Sequence, residues 1–182
     1  MIAYSESEDE LMPHIALVHE DFNPQKPVYL RIHSECMTGD LFGSKRCDCG
    51  EQLNDALTFV AERGGVVLYL RQEGRGIGLI NKLKAYNLQD TGLNTADANV
   101  HLGLEVDARQ YGIAVDIMKD LGIKTIYLIT NNPLKIEAIE DSSIEVVGRI
   151  PLVTEPIKEN EAYLQAKEDL MGHLLHNSVK GK

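Results

Sequence analysis

The sequence predicts an α/β domain: a mixed β-sheet flanked by helices and formed as one compact unit over residues 1–182. Two observations carry this. Short apolar strands alternate with stripes of helical period along most of the chain, and turn residues punctuate the changes of period. A length of 182 residues, without internal repeat or low-complexity tract, suits a single core. Residues 151–160, with Pro151 and Pro156, form the one linker-like stretch, too late to define a second domain. The ends, 1–10 and 176–182, are expected to be mobile termini.

Taken in order, Ile15–His19 and Val28–His33 read as strands, the second with Val28, Leu30 and Ile32 on one face. From Gly50 to Arg63, Leu53, Ala56, Leu57 and Val60 make one apolar helical stripe, ended by Gly64-Gly65. Val66–Leu70 is a wholly apolar run, the mark of a strand buried on both faces. A helix follows from about Gly76 to Leu88, and residues 90–108 read as irregular. Gln110–Leu121 resumes helical period through Ile113, Ile117 and Leu121, with Gly122 closing it. Lys124–Thr130 is a strand, and Asn131-Asn132-Pro133 is a helix start with proline in the first turn. Ile144–Val147 and Asn160–Leu175 complete the pattern as strand and helix.

All three cysteines of the chain fall within fourteen residues, as Cys36-x10-Cys47-x-Cys49. Three thiolates hold a zinc ion and leave its fourth tetrahedral position for water, the pattern of a catalytic site. A disulfide would leave one thiol over, and a bridge between Cys47 and Cys49 is strained by their one-residue separation. Three unrelated core thiols are the plainer alternative, since free cysteine is often buried. Thiols meant for a metal fit a reducing compartment, so the cytoplasm is expected.

The net charge of −10 argues against a nucleic-acid polymer as partner. Its distribution is uneven. Residues 1–22 carry six acids and no Lys or Arg, whereas Arg63, Arg71, Arg75, Lys82 and Lys84 gather between residues 63 and 84 with Glu73 the one acid there. A local basic patch on an acidic chain suits a small polyanion, although Lys82 and Lys84 read equally as a solvated helix face. No apolar run is long enough to cross a bilayer, and the acidic N-terminus is no signal peptide.

Several junctions carry polar residues where a strand gives way to a turn or helix. Arg31-Ile32-His33-Ser34-Glu35 leads from a strand into Cys36; Arg31 is fit to clamp a phosphate, and His33 and Ser34 to donate hydrogen bonds. Arg71-Gln-Glu-Gly-Arg-Gly-Ile-Gly78 is a glycine-rich turn able to direct N–H groups at phosphate, though it matches neither standard nucleotide-loop pattern. Asp107 stands two residues before Arg109, as a proton acceptor or as the cap of a helix starting there. Thr130 and Lys135 flank Asn131-Asn132-Pro133, again a plausible anion position. Tyr86 reads as a packing residue with a polar tip. Together these pieces describe a zinc hydrolase for a phosphorylated small molecule.

The segments Arg31–Asp40, Arg46–Gly50, Arg71–Gly78, Lys84–Asp90 and Thr130–Pro133, with the closing Met171-Gly-His-Leu-Leu175, resemble the GTP cyclohydrolase II family in content and order. The resemblance implies that Cys36, Cys47 and Cys49 bind one catalytic Zn2+ per subunit, and that Mg2+ accompanies the triphosphate. It implies GTP contacts from Arg31, Ile32, His33, Ser34, Glu35, Gln52, Glu73, Gly74, Arg75, Thr95, Thr130 and Lys135. It makes Asp107 a proton acceptor, Arg109 a nucleophile and Tyr86 an aid to ring opening. The implied reaction converts GTP and water to formate, pyrophosphate and a diaminopyrimidinone ribosyl phosphate, the first step of riboflavin biosynthesis, in a homodimer. Within that frame Glu73 suits the guanine N1–H and 2-amino edge, because a carboxylate accepts two parallel donors. For Arg109 a phosphate clamp is chemically easier than a nucleophile, since a guanidinium loses its proton only above about pH 12. Family members usually carry a further segment before the first strand, whereas this chain starts at Met1-Ile-Ala-Tyr.

Two other functions fit parts of the pattern. A guanine-nucleotide binding module would use the metal structurally, with His33 as a fourth ligand. A different purine-ring hydrolase of secondary metabolism would keep the zinc and change the base contacts.

Overall fold

The computed structural model describes residues 1–174, apart from the side chains of Thr95, Ala96, Ala162, Leu170 and Met171. The expected mobile end 176–182 and Leu175 of the closing motif lie outside the described residues. Six strands form one mixed sheet: β1 Ile2–Tyr4, β2 His14–Val18, β3 Val28–Ser34, β4 Val66–Leu70, β5 Thr125–Ile129 and β6 Glu145–Ile150. Their spatial order is β1-β2-β4-β3-β5-β6. Strands β4, β3, β5 and β6 run parallel, and β1 and β2 add an antiparallel edge. Within the segment 1–10, Ile2–Tyr4 pairs with β2, in register from Ile2 opposite Ala16 to Tyr4 opposite His14.

Among the described residues there are seven α-helices, six between strands and one after β6: α1 Met37–Asp40, α2 Cys49–Arg63, α3 Gly78–Gln89, α4 Thr95–His101, α5 Gly112–Asp120, α6 Pro133–Glu140 and α7 Glu161–Met171. Period-two alternation sorts the sheet's side chains onto two faces. Leu30, Ile32, Val66, Leu68, Leu70, Ile126 and Leu128 pack with Ala114, Val115, Ile117 and Met118 of α5 and Ile139 of α6. The opposite face carries Val67 and Ile129 against Leu53, Leu57 and Val60 of α2. Each of these large side chains contributes about 1.5–3 kcal/mol by leaving water.

This topology fixes where a ligand can go. From β3 the chain crosses by way of α2 to β4 on one side; from β4 it crosses by α3, α4 and α5 to β5 on the other. The carboxyl ends of β4, β3 and β5 therefore open at a topological switch point, the usual ligand crevice of parallel α/β sheets. Cys36, the glycine turn after β4 and the Thr130–Lys135 junction all lie at that end. The segment expected to be irregular, 90–108, contains α4, capped by the Asn94 side chain accepting from the Asp97 N–H at 2.9 Å. No described helix is long and apolar enough to cross a membrane.

Candidate active site

The three cysteines converge. Their Sγ atoms all lie within 4.8 Å of one another, and Cys36 and Cys47 are 3.7 Å apart at sulfur. That separation is far too long for a disulfide, and all three are free. It matches the edge of a tetrahedral zinc thiolate site, where Zn–S bonds of about 2.3 Å place sulfurs about 3.8 Å apart. Cys36 leads into α1 and Cys49 opens α2, and two glycines let these helices meet. A Cβ on Gly50 would lie 2.5 Å from the carbonyl oxygen of Gly39; one on Gly39 would touch the sulfurs of Cys47 and Cys36 at 3.0 and 3.2 Å. Among the described residues no histidine or carboxylate joins the group as a fourth ligand. His33, the candidate for that place, has its Nε2 3.1 Å from both carboxylate oxygens of Asp40 instead. The set therefore fits a metal held by three protein ligands.

Charge around the sulfurs points the same way. Hydrogen bonds with Cys47 and Cys49, and then the ammonium of Lys82, hold the Cys36 thiol far below its ordinary range despite burial. The Cys47 thiol is pushed up to about 11 by its bond to Cys36 and by burial, and Cys49 rises for the same reasons. One thiolate thus suppresses the other two, and a divalent cation is what allows all three to ionise.

Lys82 is buried, not part of a solvated helix face; Lys84, two residues on, is exposed. Its Nζ donates to the Cys36 sulfur at 3.0 Å and to Glu73 Oε1 at 2.8 Å. Glu73 also accepts from the N–H groups of Gly74 at 2.6 Å and Met37 at 2.5 Å. Oε1 is thereby filled and Oε2 keeps one lone pair, so a two-donor reading of guanine by Glu73 requires existing bonds to break. The glycine turn differs from a phosphate cradle. The N–H groups of Gly74, Gly76 and Ile77 are all engaged within residues 72–77. Gly74 and Arg75 are both left-handed, with φ of 61° and 60°, and the Arg75 carbonyl accepts from the Ala108 N–H at 2.9 Å. What the turn does is hold the 107–109 segment.

Asp107 accepts from Arg109 at three points: from its backbone N–H at 3.1 Å, from Nε at 2.8 Å and from Nη2. It does not cap α5, whose N-cap is Tyr111. Burial works against the charged guanidinium, but its hydrogen bond to the Asp107 carboxylate overrides this and holds Arg109 above its ordinary range. Asp107 is in turn held below the usual carboxylate range: burial pushes it up, and Arg109 more than offsets that.

A cavity joins these groups. Arg31, His33, Ser34, Glu35, Gln52, Glu73, Gly74, Arg75, Tyr86, Arg109, Thr130 and Lys135 line it together with all three cysteines. Two positions fall elsewhere. Ile32 is fully buried in the core and offers only its carbonyl, which accepts from Lys135 Nζ at 2.8 Å. Asp107 stands behind Arg109, outside the lining. The Thr95 side chain lies outside the described residues.

The wall away from Glu73 is strongly cationic. Arg31 is wholly buried, its Nη2 on Gln52 Oε1 at 2.7 Å and its Nε without a partner; burial brings its pKa down to about 10. Lys135 is pushed far below the ordinary lysine range by burial and by Arg31, Arg109 and Lys167. Sequence reasoning missed Tyr163, Lys167 and His173, which also line the cavity. A charged α7 reads as a surface helix; the one available signal was His173 within the closing motif.

The fold is thus an α/β domain in which a three-cysteine cluster that could hold a metal shares one cavity with buried basic side chains, at the carboxyl ends of the parallel strands. Residues 1–151 match the GTP cyclohydrolase II family, and the chain belongs to that family. It is 52% identical over 176 residues to the riboflavin biosynthesis protein RibBA of Bacillus cytotoxicus, and 53% identical over 176 residues to those of Bacillus mycoides and Bacillus cereus. Each match covers 96% of this chain but 44% of the relative. The chain therefore spans less than half the length of these relatives.

Proposed function

We propose that this chain opens the guanine imidazole ring of GTP by hydrolysis, releasing formate and pyrophosphate and leaving 2,5-diamino-6-ribosylamino-4(3H)-pyrimidinone 5′-phosphate. The observation that carries this reading is the shared cavity, lined by three convergent thiols and by Arg31, Arg75, Arg109, Lys135 and Lys167. We assign zinc to Cys36, Cys47 and Cys49, where, when bound, it supplies Lewis acidity that makes water nucleophilic near neutral pH. The base belongs at the sulfur end and the triphosphate, with Mg2+, at the cationic end.

The chain's own groups then have distinct tasks. Arg31 and Lys135 are buried cations in a water-poor wall, where each stabilises phosphate charge far more than it would in bulk water. Thr130 Oγ1 already accepts from the Asn132 N–H at 3.1 Å, which leaves its hydroxyl proton to donate. The Nε/Nη2 edge of Arg109 is spent on Asp107, so the Nη1 side is presented to the ligand as a fixed, charged clamp. Asp107 acts by aiming and charging that arginine. Tyr86, its phenol raised above the ordinary range chiefly by burial, stays protonated and donates to oxygen or nitrogen released as the ring opens. Lys82 holds Glu73 and the Cys36 sulfur in one fixed cluster.

Quantifying formate and pyrophosphate together against GTP, ATP and GMP tests the assignment, with metal analysis on the same sample. Both products from GTP alone, and one zinc per chain, are expected. ATP turnover would redirect the reading to another purine-ring hydrolase. For a nucleotide-binding module, Cys47→Ser would unfold the chain; for the enzyme it folds and releases no formate. We place the enzyme in the cytoplasm as a homodimer, the state the family implies.

A further inference from the structure

The cavity has a wall contributed by residues after position 151, whose side chains the roles above leave unused. Helix α7 ends in a glycine-terminated cap: the Gly172 N–H donates to the Glu168 carbonyl at 3.1 Å, and the His173 N–H reaches back to the Lys167 carbonyl at 3.0 Å. Gly172 takes φ of 62°, the left-handed geometry that turns the chain sharply off the helix. The next residue is then tied down, with the Leu174 N–H donating to the Asn131 carbonyl at 2.9 Å. His173 is thus held between two anchored backbone points, directly over the β5–α6 junction that carries Thr130 and Lys135.

Its side chain lines the cavity, and its Nε2 is buried with no hydrogen-bond partner among the described residues. A buried imidazole nitrogen left unpaired is costly, so its isolation needs a reason. Its surroundings supply one. Lys167, Arg109, Lys135 and Arg75 are all close enough to act electrostatically on the ring. Two of them are bound to carboxylates, Lys167 to Asp48 and Arg109 to Asp107. Basic side chains thus crowd an imidazole nitrogen that has no partner among the described residues.

We propose that His173 donates its Nε2–H to a phosphate oxygen of the nucleotide, making the strap after α7 part of the polyphosphate subsite. The proposal rests on GTP binding as assigned above, and extends it to a residue and an element with no role there. Neutral imidazole is the form this requires: it donates one hydrogen bond without adding a fifth positive charge. A phosphate oxygen satisfies the nitrogen and offsets the surrounding cations at once.

The test uses calorimetric titration of the full metal-loaded chain with inorganic pyrophosphate, GTP and guanosine. His173→Ala is expected to weaken pyrophosphate and GTP about tenfold and leave guanosine unchanged, and His173→Gln, which keeps an N–H at similar reach, to recover most of that loss. Equal pyrophosphate affinity in wild type and His173→Ala overturns the proposal. So does a Gln variant as weak as Ala, or a parallel loss of guanosine, which marks a collapsed cavity. Formate release by the wild type is scored separately. A chain that binds pyrophosphate through His173 yet releases no formate keeps this inference and loses the proposed reaction. One that turns over GTP with an unchanged KM in His173→Ala does the reverse.

Discussion

Lys167 Nζ donates to Asp48 Oδ1 at 2.5 Å, joining α7 to the residue between the last two cysteines across 119 positions of sequence. Both side chains are buried, at 8% and 1% exposure. Asp48 also accepts from Gln52 Nε2 at 2.6 Å, and Gln52 Oε1 accepts from Arg31. A single polar chain therefore runs from the C-terminal helix through the cysteine loop to the cationic wall. Removing one end leaves a buried charge alone, which costs about 3–5 kcal/mol. Lys167→Met is expected to lose stability on that scale in urea unfolding at neutral pH. Adding Asp48→Asn should return part of it, since the stranded carboxylate is gone. A Lys167→Met protein as stable as the wild type would remove this tie from the account of the fold.

The cysteine geometry depends equally on a missing side chain. At Gly50 an added Cβ would lie 2.5 Å from a backbone oxygen of Gly39, a contact no rotamer can relieve. Gly50→Ala must therefore push α1 from α2 and spread the sulfurs. We expect zinc affinity to fall about 10–100-fold, the range for lost support around metal ligands, measured by competition with a chromophoric chelator. Unchanged affinity in a folded Gly50→Ala protein would show that the α1–α2 contact does not set the site.

Much of this site was legible because its signals are local. Three thiols in fourteen residues announce a cation site without any knowledge of the fold. Val66–Leu70 is apolar throughout and bounded by Gly65 and Arg71, so its limits as β4 could be read directly. Asn132 caps α6 through its side chain with Pro133 in the first turn, as Asn-Asn-Pro suggests. What was missed depends on distance or on weak periodicity. Helix α4 has no apolar stripe, and its signal was the Asn94–Asp97 cap alone. Lys167 looks like any surface lysine until Asp48, far away in sequence, arrives beside it. Composition shows that the Arg71–Gly78 turn can point N–H groups at phosphate, but not that those of Gly74, Gly76 and Ile77 are engaged within the turn.

Acid stability follows from a second tied residue. His14 Nδ1 accepts from the Arg71 N–H at 2.9 Å, which requires the unprotonated nitrogen. Burial, with the opposing pull of Glu10, the repulsion of Arg71 and the pull of Glu6, leaves its pKa below the ordinary 6.5. The folded chain thus binds fewer protons here than the unfolded one, so this contribution is complete above pH 6.5 and declines as pH falls below it. The thermal midpoint should fall between pH 7 and 5, and His14→Asn should fall less over the same interval. Identical slopes in the two proteins would exclude His14 as a source.

Arg109 supplies the sharpest chemical test. Its fork is closed onto Asp107 and its charge is reinforced there, the reverse of what a nucleophilic nitrogen needs. A clamp predicts that Arg109→Lys, which keeps the charge and loses the fork, raises KM for GTP about tenfold while turnover survives. Asp107→Asn should act in the same direction by freeing the guanidinium from its orientation. Acid-quenched single turnovers followed by intact-mass analysis decide the matter. The clamp predicts unmodified protein at every time point. A transient guanylyl adduct mapped to Arg109 would defeat it and return the residue to covalent catalysis, with Asp107 as the group that takes its proton.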